Sequence, residues 1–343
     1  MNKIILAIAA ASVLLVGVNY LLTEHSPVSN LQLIAKKVNS NPHSTWKATV
    51  YPRFTYNTEQ LKKMFNLKRT KPLRGTFDRA PHHQLKTGDL PDNFDSRKNW
   101  PDCSSIKEVR DQSACGSCWA FGAATAMSDR LCISSNQKDQ RRISTEELVE
   151  CCSECGDGCD GGELYPSWNY WKKNGIVTGD IYGDKNSCKP YPFPPCNHHS
   201  SGPYDDCSKH DYNTPKCKLQ CDNKDYGKSF KKDKIYGLSV YILDDMEDIM
   251  TDLVNFGSVE AAFDVYEDFL TYKSGIYQHS HGSLLGGHAI RIIGYGKDNG
   301  VKFWICVNSW NSNWGEAGTF KILRGEDHCG IESDVIAGLP KSN

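Results

Sequence analysis

Four residues spread over more than half of this 343-residue chain could together perform nucleophilic chemistry: Cys118, His288, Asn308 and Gln112. Cys118 lies in QSACGSCWAF at 112–121, and from there the apolar residues Ala120, Ala124, Met127 and Leu131 recur at helical spacing. That spacing predicts a helix whose first turn holds Cys118, where unpaired N–H groups and the helix dipole favour an anion. A thiol so placed is expected to have a depressed pKa and to ionise readily. A cysteine nucleophile also needs a base, an orienter for that base and donors for an oxyanion. His288 stands in LLGGHAIRIIGYG, a polar ring entering an apolar strand, and Asn308 ends the apolar run FWICVN. Taken singly, His288 reads as a satisfied core histidine and Asn308 as a strand-end turn residue. Taken with Cys118, and with Gln112 six residues before it, they supply every required part. A rival reading makes Cys115 and Cys118 a redox pair, but the βαβ context of such a pair is missing.

The elements that would position these groups fall into two kinds. The first half of the region from residue 90 reads helical: the helix at Cys118, a capping box at Ser144, Thr145, Glu146 and Glu147, and a helix over 165–173 stopped by Gly175. Residues 186–227 lose periodicity and fill with Pro, Gly, Asn, His and five cysteines. The last third reads as strands over 235–242, 259–265, 288–295, 303–307, 319–323 and 335–337, with one helix over 245–255. Helices first and strands later within one unit predict an α+β fold of two lobes, with a cleft between them.

All 15 cysteines lie at or after Cys103, which points to an oxidising compartment and a disulfide framework. Zinc is the rival explanation for Cys151, Cys152, Cys155 and Cys159, disfavoured because no histidine follows at finger spacing. No metal and no cofactor is expected. Fifteen is odd, so at least one thiol stays unpaired. Charge is uneven: residues 25–89 carry 12 Lys and Arg against 3 Asp and Glu, and residues 90–343 carry 27 against 37. The larger, acidic part has no basic stripe, which argues against nucleic-acid binding. The asymmetry predicts that the early segment docks on the later one.

At the N-terminus, Lys3 precedes an apolar run over 4–18 with several alanines, read as a secretory signal peptide at 1–22. The alternative is an uncleaved anchor, since 4–22 is long enough to span a bilayer. Residues 25–89 hold no cysteine and one weakly amphipathic helix near 31–38, too little to form a core alone.

The run CGSCW resembles the signature of papain-like cysteine proteases. The wider resemblance is to their cathepsin B group: LPDNFDSR at 90–97, QSACGSCWAFGA, CCSECGDGCDGG, PPCNHH, GGHAIRIIGYG and DHCGIESDVIAG, together covering 90–343. Trp46 in STWKA resembles the propeptide pattern. The resemblance implies a papain-like fold, a helical lobe facing a barrel-like sheet lobe, and an inhibitory propeptide at 23–89. The mature domain would be 90–343, with an occluding loop at about 193–210.

It also implies roles. Cys118 would be the nucleophile paired with imidazolium His288, Asn308 the orienter shielded by Trp310, and Gln112 an oxyanion donor. Gly161 and Gly162 would bond the substrate backbone, and Asp334 would sit at the base of the S2 pocket. His198 and His199 would receive a substrate's C-terminal carboxylate, making the enzyme a peptidyl-dipeptidase as well as an endopeptidase. An ion pair between His198 and Asp111 is retained. A second pair of the vertebrate pattern is not, since Tyr204 and Asn313 occupy its positions.

The implied bridges are Cys103–Cys132, Cys115–Cys159, Cys151–Cys217, Cys152–Cys155, Cys188–Cys221 and Cys196–Cys207. Cys118 would then be left for chemistry, with Cys306 and Cys329 buried and inert. The implied partners are protein and peptide substrates, the chain's own propeptide and cystatin-type inhibitors, for a monomer with no stable membrane association. The implied location is the secretory pathway, lysosomal or secreted. The chain has no Asn-x-Ser/Thr acceptor for a glycan.

Overall fold

The structure is a computed structural model that describes residues 27–50, 58–69, 77–78, 80–81 and 90–341. The expected signal peptide lies outside the described residues. Among those residues no helix is long and apolar enough to cross a membrane.

Before residue 90 the described elements are helix α1 (Pro27–Ser40), strand β1 (Trp46–Ala48) and helix α2 (Thr58–Met64). The helical lobe holds α3 (Cys118–Ser134), α4 (Thr145–Cys151) and α5 (Leu164–Asn174). The sheet lobe follows strand β2 (Phe94–Asp95) with β3 (Tyr241–Leu243), helix α6 (Met246–Phe256), β4 (Val259–Tyr266), β5 (Tyr272–Tyr277) and β6 (Leu284–Asp298). It closes with β7 (Val301–Val307), β8 (Thr319–Leu323) and β9 (Val335–Ala337). The strand order is β1-β5-β8-β7-β6-β4-β9-β3, with β2 on β6; β5 and β8 run parallel and the other pairs antiparallel.

Each lobe has its own core. Trp119, Trp168 and Trp171 anchor the helical one, and Phe263, Phe269, Trp304, Trp310 and Trp314 the other. The apolar stripe expected on α3 understates its position, because every residue from Cys118 to Cys132 is buried. Its charged residues are therefore paired across the lobes. Arg130 binds Asp252, and Asp129 accepts from Arg291 at 2.7 Å and from Ser258 at 2.5 Å. Removing one partner of such a buried pair costs about 3–5 kcal/mol.

Local signals hold with three corrections. Ser144 caps α4 by accepting from the Glu147 N–H at 3.1 Å, but the box is half-formed. The Glu147 carboxylate turns instead to the Val177 N–H at 2.7 Å and to Lys234. The strand expected over 235–242 shrinks to β3, because only isolated bridges at Ile235 and Gly237 find partners before it. Strand β5 was not foreseen, since Ser274 and Gly275 interrupt its pattern. Gly275 sits at φ +94°, and a Cβ there would lie 2.5 Å from the Thr45 carbonyl. That close approach is where β1 adds to the sheet, with Trp46 opposite Gly275.

The described residues before 90 thus dock on the later domain, in keeping with the charge asymmetry. Leu31, Ile34, Ala35 and Val38 of α1 are buried, and Trp46 donates its Nε1–H to the Gln278 carbonyl at 3.0 Å. Lys63 meets Asp160 and Asp211, Lys68 meets Asp157, and Asp78 receives Lys172 at 2.6 Å. The bridges are Cys103–Cys132, Cys115–Cys159, Cys151–Cys217, Cys152–Cys155, Cys188–Cys221 and Cys196–Cys207. Cys118, Cys306 and Cys329 are free. Cys329 is only half-buried, against the expectation of full burial, because it sits in the turn at His328–Gly330 with a left-handed backbone.

Candidate active site

Three elements from the two lobes converge. Helix α3 delivers Cys118 as its first residue after the cap Ser117. Strand β6 delivers His288, in register with Phe263 of β4. Asn308 follows β7 directly, with its N–H on the Gly318 carbonyl at 3.0 Å. The sulfur of Cys118 is reached by the backbone N–H groups of Ala289, Trp119 and Cys118 itself, so it lies against the strand carrying His288.

His288 donates from Nε2 to the Asn308 Oδ1 at 2.8 Å. The Ser309 N–H donates to the same oxygen at 2.8 Å, which identifies that end of the amide as oxygen. The ring is therefore held as the Nε2–H tautomer. Nδ1, with no hydrogen-bond partner among the described residues, is left for proton transfer. Trp310 is fully buried, its ring 5.1 Å from that of His288 and also against His198 and His199.

Gln112 is fixed at both ends of its amide. Its Nε2 donates to the Cys115 carbonyl at 2.9 Å, and its Oε1 accepts from Ser309 Oγ at 2.6 Å. One Nε2–H stays available for an oxyanion. Ser309 thus ties orienter to oxyanion donor through its N–H and its hydroxyl. Sequence reasoning passed over it; its place beside Asn308 was the signal that could have found it.

The cleft is filled by the chain's own residues 65–69. Phe65 packs in the sheet-lobe core and Leu67 in the helical-lobe core, so the segment straddles both. Lys68 donates its N–H to the Gly162 carbonyl at 3.0 Å, and Asn66 bridges to Gly287. Gly161, at φ +108°, could carry no side chain, since a Cβ would stand 2.0 Å from the Asn66 carbonyl oxygen. Asp334 lies 3.8 Å from Arg69 of the same segment.

This cover overturns one expectation. Burial pushes the Cys118 thiol up to about 12, outweighing the amides that favour thiolate. Burial lowers His288 to about 4, although its bond to Asn308 opposes the shift. In the covered cleft the pair is a neutral thiol and a neutral imidazole, because desolvation exceeds the pull of the helix terminus.

Beside the cleft, residues 193–210 form the loop closed by Cys196–Cys207. Asp111 is its anchor. It accepts His198 Nε2 at 2.7 Å, the Ser113 N–H at 2.7 Å, the Cys196 N–H at 3.1 Å and Asn311 Nδ2 at 2.8 Å. His199 is buried against Trp310, and burial holds its imidazole well below the usual range. Tyr204 is exposed. Asn313 comes close to Gly202 of the loop.

A family model described as papain family cysteine protease matches residues 90–339. The chain belongs to the papain family of cysteine proteases. It is 52% identical over 271 residues to a cathepsin B-like cysteine proteinase 6 of Caenorhabditis elegans, which covers 77% of this chain and 72% of that one. It is 47% identical over 308 residues to a cathepsin B-like cysteine proteinase of Schistosoma japonicum, covering 89% of each. Among solved structures it resembles procathepsin B S9 from Trypanosoma congolense, at a TM-score of 0.78 and 34% identity over 91% of this chain and 98% of that one. In this papain-family chain the expected α+β, two-lobed architecture is the one observed.

Proposed function

We propose that residues 90–343 act as an endopeptidase and peptidyl-dipeptidase, made as a zymogen and active in an acidic compartment of the secretory pathway, lysosomal or secreted. The supporting observation is the cleft itself, which already holds residues 65–69 by their backbone between Gly162 and Gly287, with the Phe65 ring 5.7 Å from that of His288. A substrate carbonyl there would meet the Cys118 sulfur as a new C–S bond forms. Its oxyanion would be received by the free N–H of Gln112 and the backbone N–H of Cys118. His288, having taken the Cys118 thiol proton on Nδ1, would pass it to the leaving amine as the C–N bond breaks. It would then take a proton from the water that adds to the thioester carbonyl and return it to the sulfur as the C–S bond breaks.

The dipeptidase part is supported by the loop at 193–210, whose His198 and His199 stand against Trp310 beside His288. A free C-terminal carboxylate placed there would find donors to receive it. Loss of the second ion pair, at Tyr204 and Asn313, leaves the loop pinned at Asp111 and favours a larger endopeptidase share. The neighbouring recess, which holds Asp334 and already takes Arg69, would accept arginine.

The test is labelling of Cys118 by an epoxide peptide after acid processing, followed by comparison of an internally quenched peptide with its C-terminal amide. Cleavage of both, with the free acid preferred, is expected. No labelling would leave a catalytically silent binding protein. A strict requirement for the free carboxylate would remove the endopeptidase part.

A further inference from the structure

Arg69 enters a recess between β4 and the turn that precedes β9, and the recess treats its guanidinium unevenly. Nη1 donates to Asp264 Oδ1 at 2.9 Å, and Nη2 donates to the carbonyls of Ala262 at 2.7 Å and Gly330 at 3.0 Å. Nε lies 3.8 Å from Asp334 Oδ2, beyond hydrogen-bond reach, and has no hydrogen-bond partner among the described residues. The carboxylate expected to serve this pocket therefore stops short of the fork, and one on β4 takes its place. Asp264 is 37% exposed and Arg69 27%, so the pair is open enough to exchange its occupant.

We infer that Asp264 is the specificity-determining carboxylate of this recess. With the Ala262 and Gly330 carbonyls it selects peptides bearing arginine, in preference to lysine, as the second residue on the acyl side of the scissile bond. The inference rests on the peptidase reading above. Three acceptors around a planar group match the fixed donor fork of arginine. A lysine ammonium is a point charge and cannot meet the carboxylate and both carbonyls in that one plane. Asp334, in an ion pair with Nε at 3.8 Å but without a hydrogen bond to it, adds a weaker and less directional attraction.

The test uses the full chain after acid processing, with fluorogenic peptides carrying Arg, Lys or Phe at that position. Asp264→Ala is expected to lower the Arg-to-Phe ratio of kcat/KM about 10-fold or more, mainly through KM, as for loss of a charge-assisted hydrogen bond. Asp334→Ala should lower it less than about 3-fold, in line with that weaker attraction. Asp264→Glu should restore part of the ratio and Asp264→Asn should not. An unchanged ratio in Asp264→Ala, or a larger loss in Asp334→Ala, overturns the assignment.

A second measurement needs no turnover. In the unprocessed Cys118→Ser chain, Arg69→Ala and Asp264→Ala should be non-additive in melting temperature by about 2 °C, whereas Arg69→Ala and Asp334→Ala should couple by less than about half of that. If wild type cleaves no peptide the peptidase reading fails, while this cycle still decides for or against Asp264.

Discussion

Acidifying the full chain should expose Cys118 by protonating His288. In the covered cleft, burial lowers the imidazole to about 4 against the bond to Asn308, with a smaller push in the same direction from His198. Once residues 65–69 leave, water reaches the ring and its pKa returns toward about 6.5. The covered form then binds the proton only below about 4, and the open form from about 6.5 downward. The advantage of the covered form is complete above about 6.5 and is lost as pH falls toward 4. At pH 4.5 the loss is about 2–3 kcal/mol, a rise of roughly 50- to 100-fold in the open fraction.

The assay is the rate of Cys118 labelling by an epoxide peptide, read by mass on the intact chain. Dividing by the rate for processed chain at the same pH removes the reagent's own pH dependence. The ratio should rise between pH 6.5 and 4 with a slope approaching one proton, then level off. The carboxylate of Asp78 would act elsewhere. Asp78 is pushed up by burial but held lower by Lys172 and the Val240 N–H, so its hold persists above about 4 and is lost below that. A ratio that stays flat down to pH 4 and rises only beneath it would refute the role of His288.

Three further outcomes follow from the same geometry. Phe65→Ala removes a buried ring 5.7 Å from His288 and 5.8 Å from Trp310, and should weaken the cover by about 2–4 kcal/mol. Labelling of the full chain at pH 7 should then rise at least about 30-fold, and an unchanged rate would show that the cover is held elsewhere. Ser309→Ala releases the Gln112 amide and should lower kcat about 5- to 10-fold with KM retained, as for loss of one hydrogen bond; Ser309→Thr should recover it. A KM effect alone would count against a positioning role. His198→Ala breaks a buried bond to Asp111 and should lower the preference for a free C-terminal carboxylate over the amide by about 10-fold or more, read by paired quenched peptides. Equal loss on both peptides would mean damage to the catalytic centre rather than to the loop.

The chemistry was legible in the chain before any coordinates. Helical spacing after Ala120 places Cys118 at a helix start, and the glycine at 175 ends α5, because caps and periodicity are local properties of sequence. The α+β order, the odd cysteine count and the docking of a basic early segment on an acidic domain were legible for the same reason. Only the tertiary structure decided the state of the pair. Periodicity at Cys118 argues for an ionised thiol, yet Phe65 and Leu67 arrive from some fifty residues away and exclude the water that ionisation requires. It also decided which carboxylate meets Arg69, since Asp264 and Asp334 are seventy residues apart in sequence and are ranked by a difference of less than an ångström in reach. Ser309 and β5 were hidden likewise, one by an ordinary neighbour and the other by a glycine whose purpose is the approach of Thr45. Residue type sets what a group can do; burial and distance, which the fold assembles from remote segments, set whether it does so here.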